Sequence, residues 1–245
     1  LSEPFFFQHK REFRMYEIDI FVDIKSPLSY LILPQASQMV EDYHCNVRFK
    51  PYNLSYVDMG LTTTHDRKNP ERLPPNEAQT RRAKMYYKVG RIYSKAMGLE
   101  IKAPRILLSA ELANMALIWA NKYNSGIEYL TEIYAAGWPN GWQEFDMDNL
   151  SNISKILEKI GVPKIDLVKF ANYTEKQGIK DLEKFNQEAH ESGHVGCPHL
   201  VFDLNGKRTG LFGREHISLI RHTMSDLDLE RNHDIKWQVP HFWKL

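Results

Sequence analysis

Apolar residues crowd both faces of residues 16–24 (YEIDIFVDI), where β-branched and aromatic side chains dominate. That is the pattern of a central strand covered on each side. Ser26 and Pro27 follow at once, an N-cap residue and then a proline at the first helical position, where the missing N–H costs nothing. A helix is predicted from there to about residue 43, with Leu28, Leu31, Met39 and Val40 on its apolar face. Pro34 lies in its interior and is expected to kink it by removing a backbone hydrogen bond. A second strand is predicted over 47–52, after which the alternation stops.

A loop rich in Thr, Pro and Asn runs over 55–75, longer than a compact domain usually carries without a use for it. Helical periodicity then holds for about a hundred residues, in segments 77–97, 109–123, 126–136, 150–160 and 164–177. No strand-like run interrupts this block, so it reads as an all-helical insertion. A further helix over 181–191 leads out of it. Strands are predicted over 199–204 and 207–212 around Asn205-Gly206, a strong hairpin signal, and a last helix over 215–224. The order βαβ, helices, ββα gives an α/β fold with one mixed sheet. Trp237, Phe242 and Trp243 in the polar tail suit packing on the body or on a second subunit, so a homodimer is one expectation.

Composition narrows the function classes. The 32 basic and 31 acidic residues leave a net charge of +1, which favours neither nucleic acid nor an acidic membrane surface as a partner. Arg81, Arg82 and Lys84 read as a solvated helix face. No run approaches the ~18 apolar residues of a membrane span. The two cysteines, Cys45 and Cys197, are far apart with no CxxC, which excludes a disulfide framework and suits a reducing compartment. Beyond the tract around Phe5, Phe6 and Phe7 the amino terminus lacks the apolar run of a signal peptide, so a cytoplasmic location is expected, with a trimmed leader left open by the absence of an initial Met.

Three local features could carry chemistry. Ser26-Pro27-Leu28-Ser29 stands where a strand ends and a helix begins, and free N–H groups with the positive end of the helix dipole stabilise an anion there. A cysteine at that position would be a nucleophile; a serine can instead donate a hydrogen bond to a thiolate brought by a ligand, or act only as a helix cap. Pro198, within GHVGCPH, precedes a strand, and a cis bond there would turn the backbone of Cys197 toward a ligand. His190-Glu191-Ser192-Gly193-His194 fits the HExxH pattern, but Ser192-Gly193 reads as a helix end, so no metal is expected. A looser site of His190, His194, Cys197 and His199 competes with the reading of these imidazoles as surface groups at a helix terminus.

Taken together, Ser26-Pro27-Leu28-Ser29-Tyr30-Leu31, Gly196-Cys197-Pro198 and Phe212-Gly213-Arg214-Glu215, in this element order, make the chain similar to the 2-hydroxychromene-2-carboxylate isomerase and kappa-class glutathione transferase family of DsbA-like thioredoxin-fold proteins. The resemblance runs over about 16–224. It implies a thioredoxin-like domain of residues 15–54 and 180–225, a loop and helical insertion over 55–179, and a tail over 226–245. It also implies a glutathione site. Ser26, next to Pro27, would contact the sulfur, the backbone of Cys197 before Pro198 would pair with the cysteinyl unit, and Glu215 would face the γ-glutamyl amine beside Arg214. Asn69 resembles a loop asparagine of the family, and Ala136-Gly137-Trp138 its AxW stretch. Ser29, Tyr86 and Trp138 are the expected substrate wall, although Met85, Tyr86, Tyr87, Tyr93 and Met97 also suit the core of the insertion. Glu215 is one methylene longer than the family's aspartate, and Cys197 replaces a small aliphatic residue.

The resemblance therefore implies a glutathione-dependent isomerase or transferase acting on an electrophilic, aromatic or unsaturated carbonyl small molecule. Two alternatives stay open. A thiol-disulfide oxidoreductase would need cysteines where Ser26 and Ser29 stand, and a non-catalytic module could use the proline edge to hold a peptide.

Overall fold

The computed structural model of the chain describes residues 15–56, 77–105, 108–232 and 235. Asn69 and the tail aromatics Trp237, Phe242 and Trp243 lie outside the described residues. The apolar run at the start forms β1 (Tyr16–Val22), all but Glu17 buried, at the centre of the sheet. β2 (Cys45–Pro51) pairs with it in parallel, and β3 (His199–Leu204) pairs with it antiparallel on the other side. β4 (Lys207–Phe212) completes the order β2-β1-β3-β4 through the Asn205-Gly206 turn, in which both residues take positive φ.

Between β1 and β2 lies α1 (Pro27–Asp42), and between β2 and β3 come α2 (Glu77–Ala96), α3 (Glu111–Asn121), α4 (Gly126–Gly137), α5 (Leu150–Lys159), α6 (Lys164–Lys176) and α7 (Gly178–Glu191). A 3₁₀ turn at Arg214–His216 and then α8 (Ile217–Asp226) close the chain. The first turns of α1 are buried nearly all round, Tyr30 to Leu33 included, because α2 and α4 cover the side that β2 and α8 do not. Its expected apolar face is thus wider than the pattern implied, and Leu28 and Val40 lie at its margin, only partly buried. The tail begins on the body: Glu230 bridges Tyr43, and Arg231 Nε donates to the carbonyls of Val40 and Tyr43 at 3.0 and 2.9 Å.

Three boundaries moved for physical reasons. β1 stops at Val22 instead of 24 because the backbone of Asp23 turns to meet the helix, with Ser26 N–H donating to its carbonyl at 2.9 Å. The predicted helix over 215–224 starts as the 3₁₀ turn, with Gly213 at φ +116° ahead of it. α7 begins at Gly178, three residues early, because Gln177 ends α6 and starts α7 without a loop.

One sheet face carries a band of charge. The Asp19 carboxylate, nearly buried, meets Arg48 Nε at 2.7 Å and Lys50 Nζ at 3.2 Å from β2, and Arg208 at 2.6 Å from β4. Burial pushes this carboxyl up, but the Arg48 hydrogen bond and the Lys50 charge outweigh it and hold the group below the usual range. Lys50 continues the band to Glu188 on α7.

Beside that band lie three imidazoles, and they correct the expectation of surface histidines favoured by a helix dipole. His199 has no solvent exposure; its Nε2 meets Ser192 Oγ at 2.9 Å and its Nδ1 has no partner among the described residues. His194 stacks on Tyr52 with ring centres 3.7 Å apart, and only His190 is exposed, with its Nε2 2.8 Å from the Tyr52 hydroxyl. Burial lowers the pKa of His194 and of His199 to about 4 each, and neighbouring imidazoles add to the shift at His194. Both are neutral in the fold.

Two predictions follow from packing and from titration. Gly137 ends α4 where an added Cβ would stand 2.1 Å from the Trp142 ring. Gly137→Ala is expected to cost about 1–3 kcal/mol in urea denaturation, and an unchanged midpoint would contradict this packing. For the histidines, the unfolded chain takes up protons below its pKa of 6.5 while the folded one does not, so their contribution is complete above pH 6.5 and declines as pH falls toward 4. His199 alone is expected to remove about 2 kcal/mol by pH 5. Thermal melts over this window should steepen for the wild type and flatten for His194→Gln/His199→Gln; parallel profiles would refute the assignment.

Candidate functional site

Ser26 stands between β1 and α1 in extended conformation (φ −87°, ψ 120°), and its Oγ accepts from Ser29 N–H at 3.4 Å. The same hydroxyl lies 3.3 Å from the carbonyl oxygen of Cys197, 171 residues later, and donates to it. The Cys197–Pro198 peptide bond is cis. The fold therefore brings the helix terminus and the prolyl segment together at a long, weak contact that a better acceptor could replace.

Glycine closes the third side. Pro198 carbonyl accepts from Gly213 N–H at 3.0 Å, which draws the Arg214–His216 turn against the prolyl segment. The Glu215 carboxylate folds back over Gly213, where a Cβ would stand 2.4 Å from it. Glu215 is otherwise exposed, while the Arg214 guanidinium lies 3.7 Å over the ring of Tyr93 on α2. α2 also packs Gly90 against Pro27.

A buried polar network supports this junction from below, and the sequence reading missed it. Asp23, without solvent exposure, accepts from Lys25 N–H at 3.0 Å, Leu54 N–H at 2.7 Å and Asn114 Nδ2 at 3.5 Å, and pairs with Lys25 Nζ at 2.5 Å. Its backbone N–H donates to Ser29 Oγ at 3.3 Å. One carboxylate thus ties the end of β1, the start of α1, the segment after β2 and α3. Tyr56 fixes that segment further, its hydroxyl donating to Leu108 carbonyl at 2.9 Å, while the Lys25 ammonium lies 5.6 Å from its ring centre. The signal available in the sequence was two charges, Asp23 and Lys25, breaking an apolar run directly before Ser26.

The other expected residues divide. Ser29 is wholly buried and serves Asp23. Trp138 is also wholly buried, in a second layer where its ring stacks behind Tyr30 at 6.5 Å and 5°. Tyr86 is half-buried on α2; Met85 and Tyr93 of the same helix are exposed, so that face is only partly insertion core. Burial pushes the Tyr87 hydroxyl up to about 12. The Cys197 thiol lies 3.5 Å from His194 Nε2, and burial, with the Asp23 charge added, holds it protonated well above the usual cysteine range. Cys45 starts β2 and is buried, its Sγ 3.5 Å from Met39 carbonyl.

The site suits a ligand with a thiol and a backbone. The Ser26 hydroxyl and the α1 terminus can meet a sulfur, and the Cys197 N–H has no partner among the described residues. The Glu215 carboxylate can meet an amine. Neither Cys45 nor Cys197 offers an exposed thiolate. Among the described residues no group of three or more His, Cys, Asp or Glu side chains is placed to hold a metal ion, and α7 ends before His194, so the HExxH residues do not share a helix. None of the described helices is long and apolar enough to cross a membrane.

Solved structures share this architecture. 2-Hydroxychromene-2-carboxylate isomerase superposes with a TM-score of 0.65 at 17% identity over 86% of this chain and 96% of its own. The cytosolic disulfide reductase DsbM from Pseudomonas aeruginosa gives 0.60 at 12% identity over 86% and 97%, and its structure with GSH gives 0.54 at 13% identity over the same shares. No curated protein matches the sequence closely enough to serve as a relative. At these identities the likeness establishes the fold. The sequence model of the DSBA-like thioredoxin domain matches residues 17–225, and to that family the chain belongs.

Proposed function

We propose that this protein is a glutathione-dependent isomerase or transferase acting on an electrophilic aromatic or unsaturated carbonyl compound. The observation that carries the reading is the meeting of Ser26 Oγ and the Cys197 carbonyl at 3.3 Å on the amino-terminal end of α1. Glutathione, when bound, supplies the nucleophilic sulfur. Ser26 turns its hydroxyl from the Cys197 carbonyl toward that sulfur, and the helix terminus favours its anionic form. Cys197 offers its backbone to the cysteinyl unit, and Glu215 takes the γ-glutamyl amine, with Arg214 held aside by Tyr93. The family resemblance assigns a further contact to Asn69, which lies outside the described residues.

The acceptor lies against Tyr86 and Tyr30, with Trp138 stacked behind Tyr30 and Ser29 holding the start of α1 through the Asp23 backbone. A serine in place of a nucleophilic cysteine, with Cys197 buried and protonated, favours this reading over disulfide exchange. A reducing, cytoplasmic setting suits two buried cysteines that lie on separate strands or loops.

Titration of glutathione bound to the wild type, followed by thiolate absorbance, is expected to give a lowered thiol pKa that Ser26→Ala raises by about one unit, with turnover of an electrophilic enone falling about 10²-fold. Equal pKa values in the two proteins would refute the mechanism. In an insulin-reduction assay the wild type is expected to stay inactive; turnover that Cys197→Ser abolishes would instead establish thiol-disulfide exchange.

A further inference from the structure

The net charge of +1 conceals a strong separation of charge. α2 carries Arg81, Arg82, Lys84, Lys88, Arg91 and Lys95 against the single carboxylate of Glu77, so the helix holds +5 and the remainder of the chain −4. All six cations are exposed, and only Arg81 has an acidic partner, Glu77 at 3.2 Å, among the described residues. The inner face of the same helix is occupied: Gly90 meets Pro27, Ser94 is buried and Tyr87 packs on the core.

The outer face has a definite order. At about 100° per residue, Ala78, Met85, Val89, Ile92 and Ala96 fall in one line along the helix. Met85 and Ile92 are 55% and 58% exposed, and Ala78 and Ala96 are exposed too, with only Val89 partly covered. Arg81, Lys88 and Lys95 border that line on one side, with Lys84 and Arg91 behind them, and Arg82 borders it on the other. An apolar line flanked on both sides by long cationic side chains is the arrangement of a helix lying in a lipid interface. There, apolar groups enter the acyl boundary and lysines reach up to the headgroups.

We propose that the outer face of α2 docks this protein on an anionic lipid surface. A second copy of the chain presenting the same face would bring +5 against +5, so self-association through it is opposed. A nucleic acid backbone would neutralise the cations but has nothing apolar for Met85 and Ile92 to enter. A bilayer containing anionic lipid meets both needs at once. Because the inner face of α2 touches Pro27, the docked helix leaves Ser26 about one helix diameter, roughly 10 Å, from the lipid.

The test is sedimentation of the full chain with vesicles of phosphatidylcholine alone or with about 30 mol% phosphatidylglycerol. Binding to the anionic vesicles is expected to exceed binding to the neutral ones by more than tenfold, and to be lost as salt rises from about 50 to about 500 mM. Lys84→Glu/Lys88→Glu is expected to abolish it. Met85→Ser/Ile92→Ser, with every charge kept, is expected to weaken it at least threefold. These side chains are exposed, so circular dichroism and melting should match the wild type. Equal binding to both vesicles, no binding, or binding indifferent to either variant pair overturns the proposal. So does tight retention of the chain by DNA or by an acidic protein without vesicle binding.

Discussion

A carboxylate shut away from water must be satisfied from within, and Asp23 is satisfied by groups from three other parts of the chain. Isolated, its charge would be costly enough to unfold a marginal domain. Paired with Lys25 and hydrogen-bonded by Leu54 and Asn114, it fixes where β1 stops and where α1 starts. Ser26 takes its place from that turn, since its own N–H is bound to the Asp23 carbonyl. The meeting of Ser26 with the segment at Cys197 and Pro198 depends on this anchor and on the antiparallel pairing of β3 with β1.

The insertion and the sheet are therefore not independent. Asn114, on α3, donates to Asp23 and to Asn53 and accepts from the Ile24 backbone, so a helix from the middle of the chain completes the floor of a site built by its two ends. Asn186 on α7 holds Asn53 from the other side, at 2.9 and 3.2 Å. Tyr30, Tyr134 and Trp138 join α1 to the end of α4 through aromatic contacts. Polar contacts set the position of the residues around Ser26, and aromatic packing keeps α4 against them.

Most of the fold was legible because its signals are local. Apolar crowding marked β1, Ser-Pro marked the start of α1, and Asn-Gly marked the β3–β4 turn to the residue. Ser26, Cys197 and Pro198 could be singled out because each stands at an element boundary with a recognisable residue pair. Asp23 and Lys25 were not, since their meaning comes from Leu54 and Asn114, about 30 and 90 positions away, and nothing in a local window reveals such partners. The histidines failed for a related reason. Sequence places His190 and His194 near a helix end, but only the approach of Tyr52, just after β2, partly covers His194, and only the fold buries His199 against Ser192.

The charge band across the sheet has one more effect. Arg48 lies directly opposite Asp19 in the β1–β2 register, while Arg208 reaches the same carboxylate from β4, across β3. Side chains alternate between faces, so sliding β2 by one position would carry its arginine to the far side of the sheet and leave the anion behind. A single acidic residue in a central strand thereby checks the alignment of both outer strands.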